Sequence, residues 1–381
     1  MEWLNLKKCL KNYMKISIGS KIVEGPWGGG NLFVKNLARY LMNNGHDVIF
    51  DLSEPDIDLI LLTDPRSRKE SSSTFNHLEI NKYKKYVNSN VKVVQRINEC
   101  DERKGTEFIN DFYLKASQSA DHVVFVSSWL KNIYTNLGME EDKTSVILSG
   151  SNKSIFNSND ADIWDDTKRI KLLTHHWSSH VNKGFKIYKH LDDLIETDLW
   201  KEKIEFSYIG NVSGDYEFKN MKIIPPLAGE ELAAVIKKHH IYVTASINEP
   251  SGNHHIEAAQ CGLPVLYIDS GGIPEYCDGY GVSFKDNFEK KLHEIIEDYN
   301  FYKEKLKEYP FSAEKMCKEF FDLFEELVKL DEKSQRNSIS HIYGYLFILK
   351  NKFLKLFRDI VYLKFRNYLT IKIRNVLKTN G

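Results

Sequence analysis

Hydrophobic and polar positions follow two alternating rhythms along the chain. Short apolar runs, such as Met14–Gly19, 46–50, 58–62, 91–96, 123–126 and 146–148, read as strands. Between them, apolar residues recur at helical spacing, as with Leu32, Val34, Leu37, Ala38 and Leu41 over 31–44. Gly45 follows this helix, where glycine serves as a C-terminal cap. The order strand, glycine loop, helix, strand predicts a βαβ unit. Further helices are expected up to Ala120 and over 129–137.

A polar stretch rich in Asn, Ser and Asp, 149–166, interrupts this pattern and reads as a linker. A second series then begins. Strands are expected at 170–174, 204–209, 223–224, 241–243 and 264–267, and helices at 184–194, 230–238, 254–260 and 314–330. Two βα series imply two parallel-sheet domains, with ligands bound at the carboxyl ends of the strands. The expected division is 14–165 and 166–312, then a helix over 313–333 that crosses back to the first domain, then a tail over 334–381. The first 13 residues read as an appendage.

Composition narrows the class. The 381 residues are 42% hydrophobic and 28% charged, which excludes disorder, collagen and coiled coil as descriptions of the whole. Lys plus Arg equals Asp plus Glu at 53 each, so the simplest argument for nucleic-acid binding fails. Cys9, Cys100, Cys261, Cys277 and Cys317 are scattered without a CxxC pair, which fits a reducing compartment. Neither a targeting signal nor a membrane-spanning run stands out, so the expected place is the cytoplasm, with the protein peripheral at the inner face of the membrane. The charge is uneven, however. Residues 341–381 hold nine basic residues and one acidic residue, Asp359, for a tail of +8. Apolar residues recur through this tail at Leu346, Leu349, Phe353, Leu356, Ile360 and Leu363, while Lys352, Lys355, Arg358 and Arg366 point the other way. That pattern suits an interfacial helix on anionic lipid, or a helix packed on protein.

The most informative segment is Asn248-Glu249-Pro250-Ser251-Gly252-Asn253-His254-His255-Ile256-Glu257-Ala258-Ala259-Gln260-Cys261-Gly262-Leu263-Pro264-Val265. It places Glu249 in a loop after a strand and Glu257 within the following helix. Carboxylates accept hydrogen bonds from neighbouring sugar hydroxyls. Ser251, Gly252 and Asn253 open the helix, whose free N–H groups favour a phosphate. Downstream, Ser270-Gly271-Gly272-Ile273-Pro274-Glu275 places a glycine turn at the end of the next strand.

This ordered set closely resembles the donor-site signature of retaining GT-B glycosyltransferases, the family-4-like group. The resemblance covers 14 to about 330 and extends to Gly28-Gly29-Gly30, Gly45-His46-Asp47-Val48, Lys183-Gly184-Phe185 and Phe311-Ser312. It implies an α/β GT-B fold, two Rossmann-like domains facing a cleft. It also implies a hexosyltransferase of polysaccharide biosynthesis, acting without a cofactor or a metal. Glu257 would hold the ribose of a nucleotide-sugar donor and Glu249 the transferred sugar, with Ser251, Gly252, Asn253, Gly29, Gly30 and Gly272 around the donor. Lys183 would neutralise the diphosphate. The acceptor would be a glycan or lipid-linked sugar.

The chain departs from the resemblance in places. Ser178 stands where many relatives have a second cation, and Asn98 about where many have a histidine. Arg96, Asn98, Asp101 and Arg103, with Lys104, are therefore acceptor-side candidates. The pairs His175-His176, His239-His240 and His254-His255 lack metal-ligand spacing. Asp56-Ile57-Asp58 leads straight into a strand and reads as strand-flanking polarity. A silent sugar- or nucleotide-binding protein and a sugar-nucleotide epimerase of the same fold are the alternative readings.

Overall fold

The structure, a computed structural model, describes residues 13–23, 28–66, 73–329 and 342–357. The appendage up to residue 12, Gly25 to Trp27 of the glycine loop, 330–341 and the tail from Arg358 lie outside the described residues. Among the described residues, twelve strands form two sheets, six in each. The first holds β1 (Lys15–Ile18), β2 (Asp47–Ile49), β3 (Leu59–Leu62), β4 (Lys92–Ile97), β5 (His122–Phe125) and β6 (Thr144–Val146), in the order β2-β1-β3-β4-β5-β6. The second holds β7 (Ile170–His176), β8 (Ile204–Gly210), β9 (Lys222–Ile224), β10 (Ile241–Thr244), β11 (Val265–Ile268) and β12 (Gly281–Phe284), in the order β12-β11-β10-β7-β8-β9. This second sheet is parallel throughout. In the first, β1 runs parallel to both β2 and β3, and β5 to β6. The α/β class and the two parallel sheets expected from the pattern are the architecture found.

The described residues fall into two compact units. One takes in the residues up to Lys21, Gly45–Val94 and those from Glu325 onward. Ile16, Ile18 and all four residues of β3 are buried here. The helix His77–Tyr86 starts with a capping box, in which Asn76 accepts from the Glu79 backbone and Glu79 accepts from the Asn76 backbone. Tyr83 of that helix is buried and donates its hydroxyl to the Glu54 carbonyl at 2.8 Å. A helix over 342–357 lies on it, with Phe347 against Tyr83 (ring centroids 6.2 Å apart) and Tyr343 against Tyr86 (5.8 Å). Ile348 and Asn351 face inward, whereas Ile342, Leu346, Leu349, Phe353 and Leu356 are exposed.

The other unit takes in Ile22–Asn44 and Gln95–Phe324. Adjacent strand residues point to opposite faces, so Leu172 joins one core layer with Phe185, Tyr188 and Leu191, while Leu173 joins another with Ile256 and Ala259. Buried residues on both faces of the strands suit a parallel sheet covered by helices on each side. The helix Asn253–Gln260 has six consecutive buried residues, His254 to Ala259, so its polar groups must find partners inside the protein. The glycine-loop helix begins at Gly29, two residues before its expected start, because Gly28 already accepts from the Asn31 N–H at 3.0 Å. The last long helix, Ala313–Lys329, packs Phe320 on Phe33 and Phe321 on Tyr40 of that helix, at 5.1 and 6.3 Å between centroids.

Candidate functional site

Glu249 follows β10 and is buried. Its Oε2 accepts from Lys183 Nζ at 2.5 Å, and its Oε1 lies 3.1 Å from Arg103 Nε. Burial alone raises its pKa, but the charges of Lys183 and Arg103 and the Lys183 hydrogen bond outweigh that, holding the carboxyl well below the usual range. Arg103 also clasps Glu99, its Nη1 2.8 Å from Oε2, and Lys104 reaches the same oxygen at 3.1 Å. The charge of Glu249, then burial in opposition, then the charge of Glu99 set the Arg103 pKa, which is raised. The result is one network of two buried carboxylates and three cations, of which Lys104 is exposed.

Backbone geometry fixes this network. Lys183 ends the turn Val181–Lys183, and Gly184 follows at φ +88°, where a Cβ would meet the Ala245 carbonyl at 2.3 Å. Gly271, at φ +65°, lets the next loop approach the Glu249 carbonyl so closely that a Cβ would stand 2.5 Å away. Gly272 donates its N–H to that carbonyl at 2.9 Å and packs on the Pro250 carbonyl, so it supports the Glu249 loop from behind. Arg103 belongs to a short helix, Asp101–Lys104, which the residue pattern did not reveal. Two asparagines hold it: Asn182 donates to the Arg103 carbonyl at 2.9 Å, and Asn248 to the Glu102 carbonyl at 3.0 Å. Asn248 takes φ +52°, a conformation asparagine tolerates better than most residues.

Glu257 sits on the inner side of the helix Asn253–Gln260, its Oε2 3.1 Å from His175 Nε2 at the end of β7. His176, His254 and His255 are packed beside it, with ring centroids 4.6 Å apart for His176–His254 and 4.8 Å for His254–His255. Burial holds His176 and His254 well below their ordinary 6.5, and His255 down to about 3, so these rings are neutral. Among the described residues, no group of His, Cys, Asp or Glu is arranged to hold a metal ion. Ser251, Gly252 and Asn253 are half-buried at the helix start, and Ser149 donates to Ser251 Oγ at 3.4 Å. Gly29 faces this helix, since a Cβ there would meet Asn253 Oδ1 at 3.0 Å, whereas Gly30 opens onto free space.

The acceptor-side candidates separate. Arg103 joins Glu249, as above. Asp101 is occupied by structure, accepting from Thr106 Oγ1 and from the backbone N–H groups of Phe108, Ile109 and Asn110, which start the helix Ile109–Ser117. Asn98 is half-buried just past β4. Arg96 is buried over the ring of Phe33. Glu275, named in the glycine-turn motif, accepts from the backbone N–H groups of Ser128 (2.8 Å) and Trp129 (2.9 Å), capping the helix Ser128–Asn136. Asp56 pairs with Lys15 Nζ at 2.6 Å beside β1.

Comparisons with known proteins bear on part of the chain and on its fold. Residues 211–310, which hold Glu249, Glu257 and the glycine turn, match the profile of the family described as glycosyl transferases group 1. The chain is 28% identical over 205 residues to a probable sucrose-phosphate synthase of Thermosipho melanesiensis, covering 49% of this chain and 48% of that protein. It thus spans about half the length of that relative. Among solved structures, the sucrose-phosphate synthase of Thermosynechococcus elongatus superposes with a TM-score of 0.61 at 15% identity, over 83% of this chain and all of that one. Anabaena HepE in complex with UDP and glucose superposes with a TM-score of 0.57 at 12% identity, over 81% and 99% of the two chains. At such identities the structural likeness speaks for the fold. Residues 211–310 carry the glycosyl transferases group 1 sequence, and they do so within the two-sheet GT-B fold.

Proposed function

We propose that this chain is a retaining glycosyltransferase that moves a hexose-type sugar from a nucleotide-sugar donor to a glycan or lipid-linked acceptor, without a metal. The observation that carries the reading is Glu249, kept ionised by two cations in the loop before the helix Asn253–Gln260, which carries Glu257 among its buried residues. In this reading 14–165 serves the acceptor and 166–312 the donor. An arriving diphosphate takes over Lys183 and Arg103, and Glu249 is released to accept hydrogen bonds from the sugar hydroxyls. Glu257 does the same for the ribose. Ser178, Arg103, Lys104 and Lys183 line one small cavity with Glu249, so Arg103 and Lys104 supply the positive charge that Ser178 does not. As the anomeric carbon–oxygen bond breaks, the departing phosphate oxygen takes the proton of the acceptor hydroxyl, whose oxygen forms the new bond on the same face. Positioning and charge stabilisation then supply the rate, with no protein nucleophile.

The reading includes contact with an anionic membrane through the helix 342–357. Its stripe of Ile342, Leu346, Leu349, Phe353 and Leu356 is exposed, flanked by Lys350 and Lys352, in a tail of +8. An apolar stripe edged by lysines matches a lipid surface carrying negative head groups. Among the described residues no helix is long and apolar enough to cross a membrane.

A thermal-shift screen of sugar nucleotides, followed by a transfer assay, tests the enzyme reading. A donor at 100 times its dissociation constant adds about 2.7 kcal/mol, and Glu257→Ala should abolish that gain. If no sugar nucleotide stabilises the protein, the reading fails. Binding without turnover on any acceptor points to a silent binding protein, and donor conversion without acceptor to an epimerase.

A further inference from the structure

Arg96 is a charged side chain that the Glu249 network does not use. It stands next to last in β4 and is only 5% exposed. Its guanidinium carbon lies 4.1 Å from the centroid of the Phe33 ring. Among the described residues it has neither a carboxylate partner nor a hydrogen-bond acceptor, and the titratable groups around it are the phenols of Tyr276 and Tyr113. Burial accordingly lowers its pKa, to about 10, which leaves it charged at neutral pH. The contrast with Arg103 is direct. That guanidinium is also largely buried, but Glu99 and Glu249 neutralise it.

A buried charge without a counter-charge is expensive, and groups perturbed in this way cluster at functional sites. Stacking on an aromatic ring fixes the plane of the guanidinium but does not neutralise it. It leaves the N–H edge, a fork that matches the two oxygens of a phosphate or a carboxylate. We propose that Arg96 is the recognition point for an oxyanion, phosphate or carboxylate, carried by the acceptor. The inference rests on the transferase reading for the word acceptor. It assigns the oxyanion there because Lys183 and Arg103, the cations for a donor diphosphate, belong to a network from which Arg96 is absent.

Calorimetric titration of the full chain with inorganic phosphate and, separately, with acetate tests this, and the stronger of the two identifies the oxyanion. The wild type and Lys183→Ala should bind alike, and Arg96→Gln at least about tenfold more weakly, with Arg96→Lys between them. Arg96→Met should melt at or above the wild-type temperature, since no ion pair is lost. The proposal is overturned if neither anion binds the wild type, if Arg96→Gln binds as well as the wild type, or if Lys183→Ala removes the binding. A drop in the melting temperature of Arg96→Met larger than that of Phe33→Leu also overturns it, because the guanidinium would then have a structural partner besides the Phe33 ring. Failure of the sugar-nucleotide screen with oxyanion binding intact would sink the transferase reading alone, and leave an anion site at Arg96.

Discussion

Arg103 reaches Glu249 from a short helix that two asparagines, Asn182 and Asn248, pin in place, and its Nε lies 3.1 Å from Oε1. The cation beside the candidate catalytic carboxylate therefore comes from a segment outside the matched residues 211–310.

Arg103→Ala should lower kcat/KM for the donor on the order of ten- to a hundredfold, the range for losing a charge-assisted hydrogen bond. Arg103→Lys should recover part of it. Steady-state kinetics with the donor from the screen measure both. Unchanged kinetics in Arg103→Ala would mean that Lys183 alone carries the diphosphate.

Glu275 closes the N-terminus of the helix Ser128–Asn136 with two backbone hydrogen bonds. Glu275→Ala leaves those N–H groups without their anion. It should cost about 1–3 kcal/mol in urea unfolding, as other helix caps with ionised acceptors do. A loss below about 0.5 kcal/mol would show that Ser127, which accepts from Leu130 N, caps the helix on its own.

The neutral histidines make stability pH-dependent. His176, His254 and His255 have folded pKa values below 6.5, so below that pH the unfolded chain binds protons that the folded chain refuses. Stability must then fall as the pH drops from 6.5 towards 4, by about 1.4 kcal/mol per pH unit for each ring. Glu249 acts in the same direction only lower down, from its ordinary 4.5, because its carboxyl is depressed. Melting temperatures between pH 7 and 5 should show the slope, and His255→Gln should flatten it. A flat profile in the wild type would mean that these rings can take protons in the folded state.

Leu349→Glu with Phe353→Glu should weaken sedimentation with phosphatidylglycerol vesicles on the order of a hundredfold, since two apolar side chains of about 1.5–3 kcal/mol each are lost. Donor-dependent thermal shifts should not change. Binding equal to that of the wild type would dismiss the exposed stripe as a lipid contact.

The parts legible in the residue order are those that local spacing controls. Alternating strands and helices exposed both sheets, and the separation of Glu249 from Glu257 placed one acid in a loop and the other on a helix. The tail pattern named Leu346, Leu349, Phe353 and Leu356 as one face, and the structure turns that face outward. What stayed hidden depends on distant partners. Nothing local to Asp101 shows that its oxygens organise the next helix, or that Arg103 two residues later reaches Glu249. Adjacent histidines read only as a poor metal motif, because their shared burial arises when β7 and the helix Asn253–Gln260 meet. Glu275 looked like part of a glycine turn, yet its work is to cap a helix far away in the chain.

Lys183 and Arg103 are both engaged by Glu249. A lone small anion gains little there, because it must first displace a carboxylate that both cations hold. In the proposed reading, a ligand bearing two linked phosphates would replace that carboxylate at both cations at once, which would favour an activated sugar over common salts.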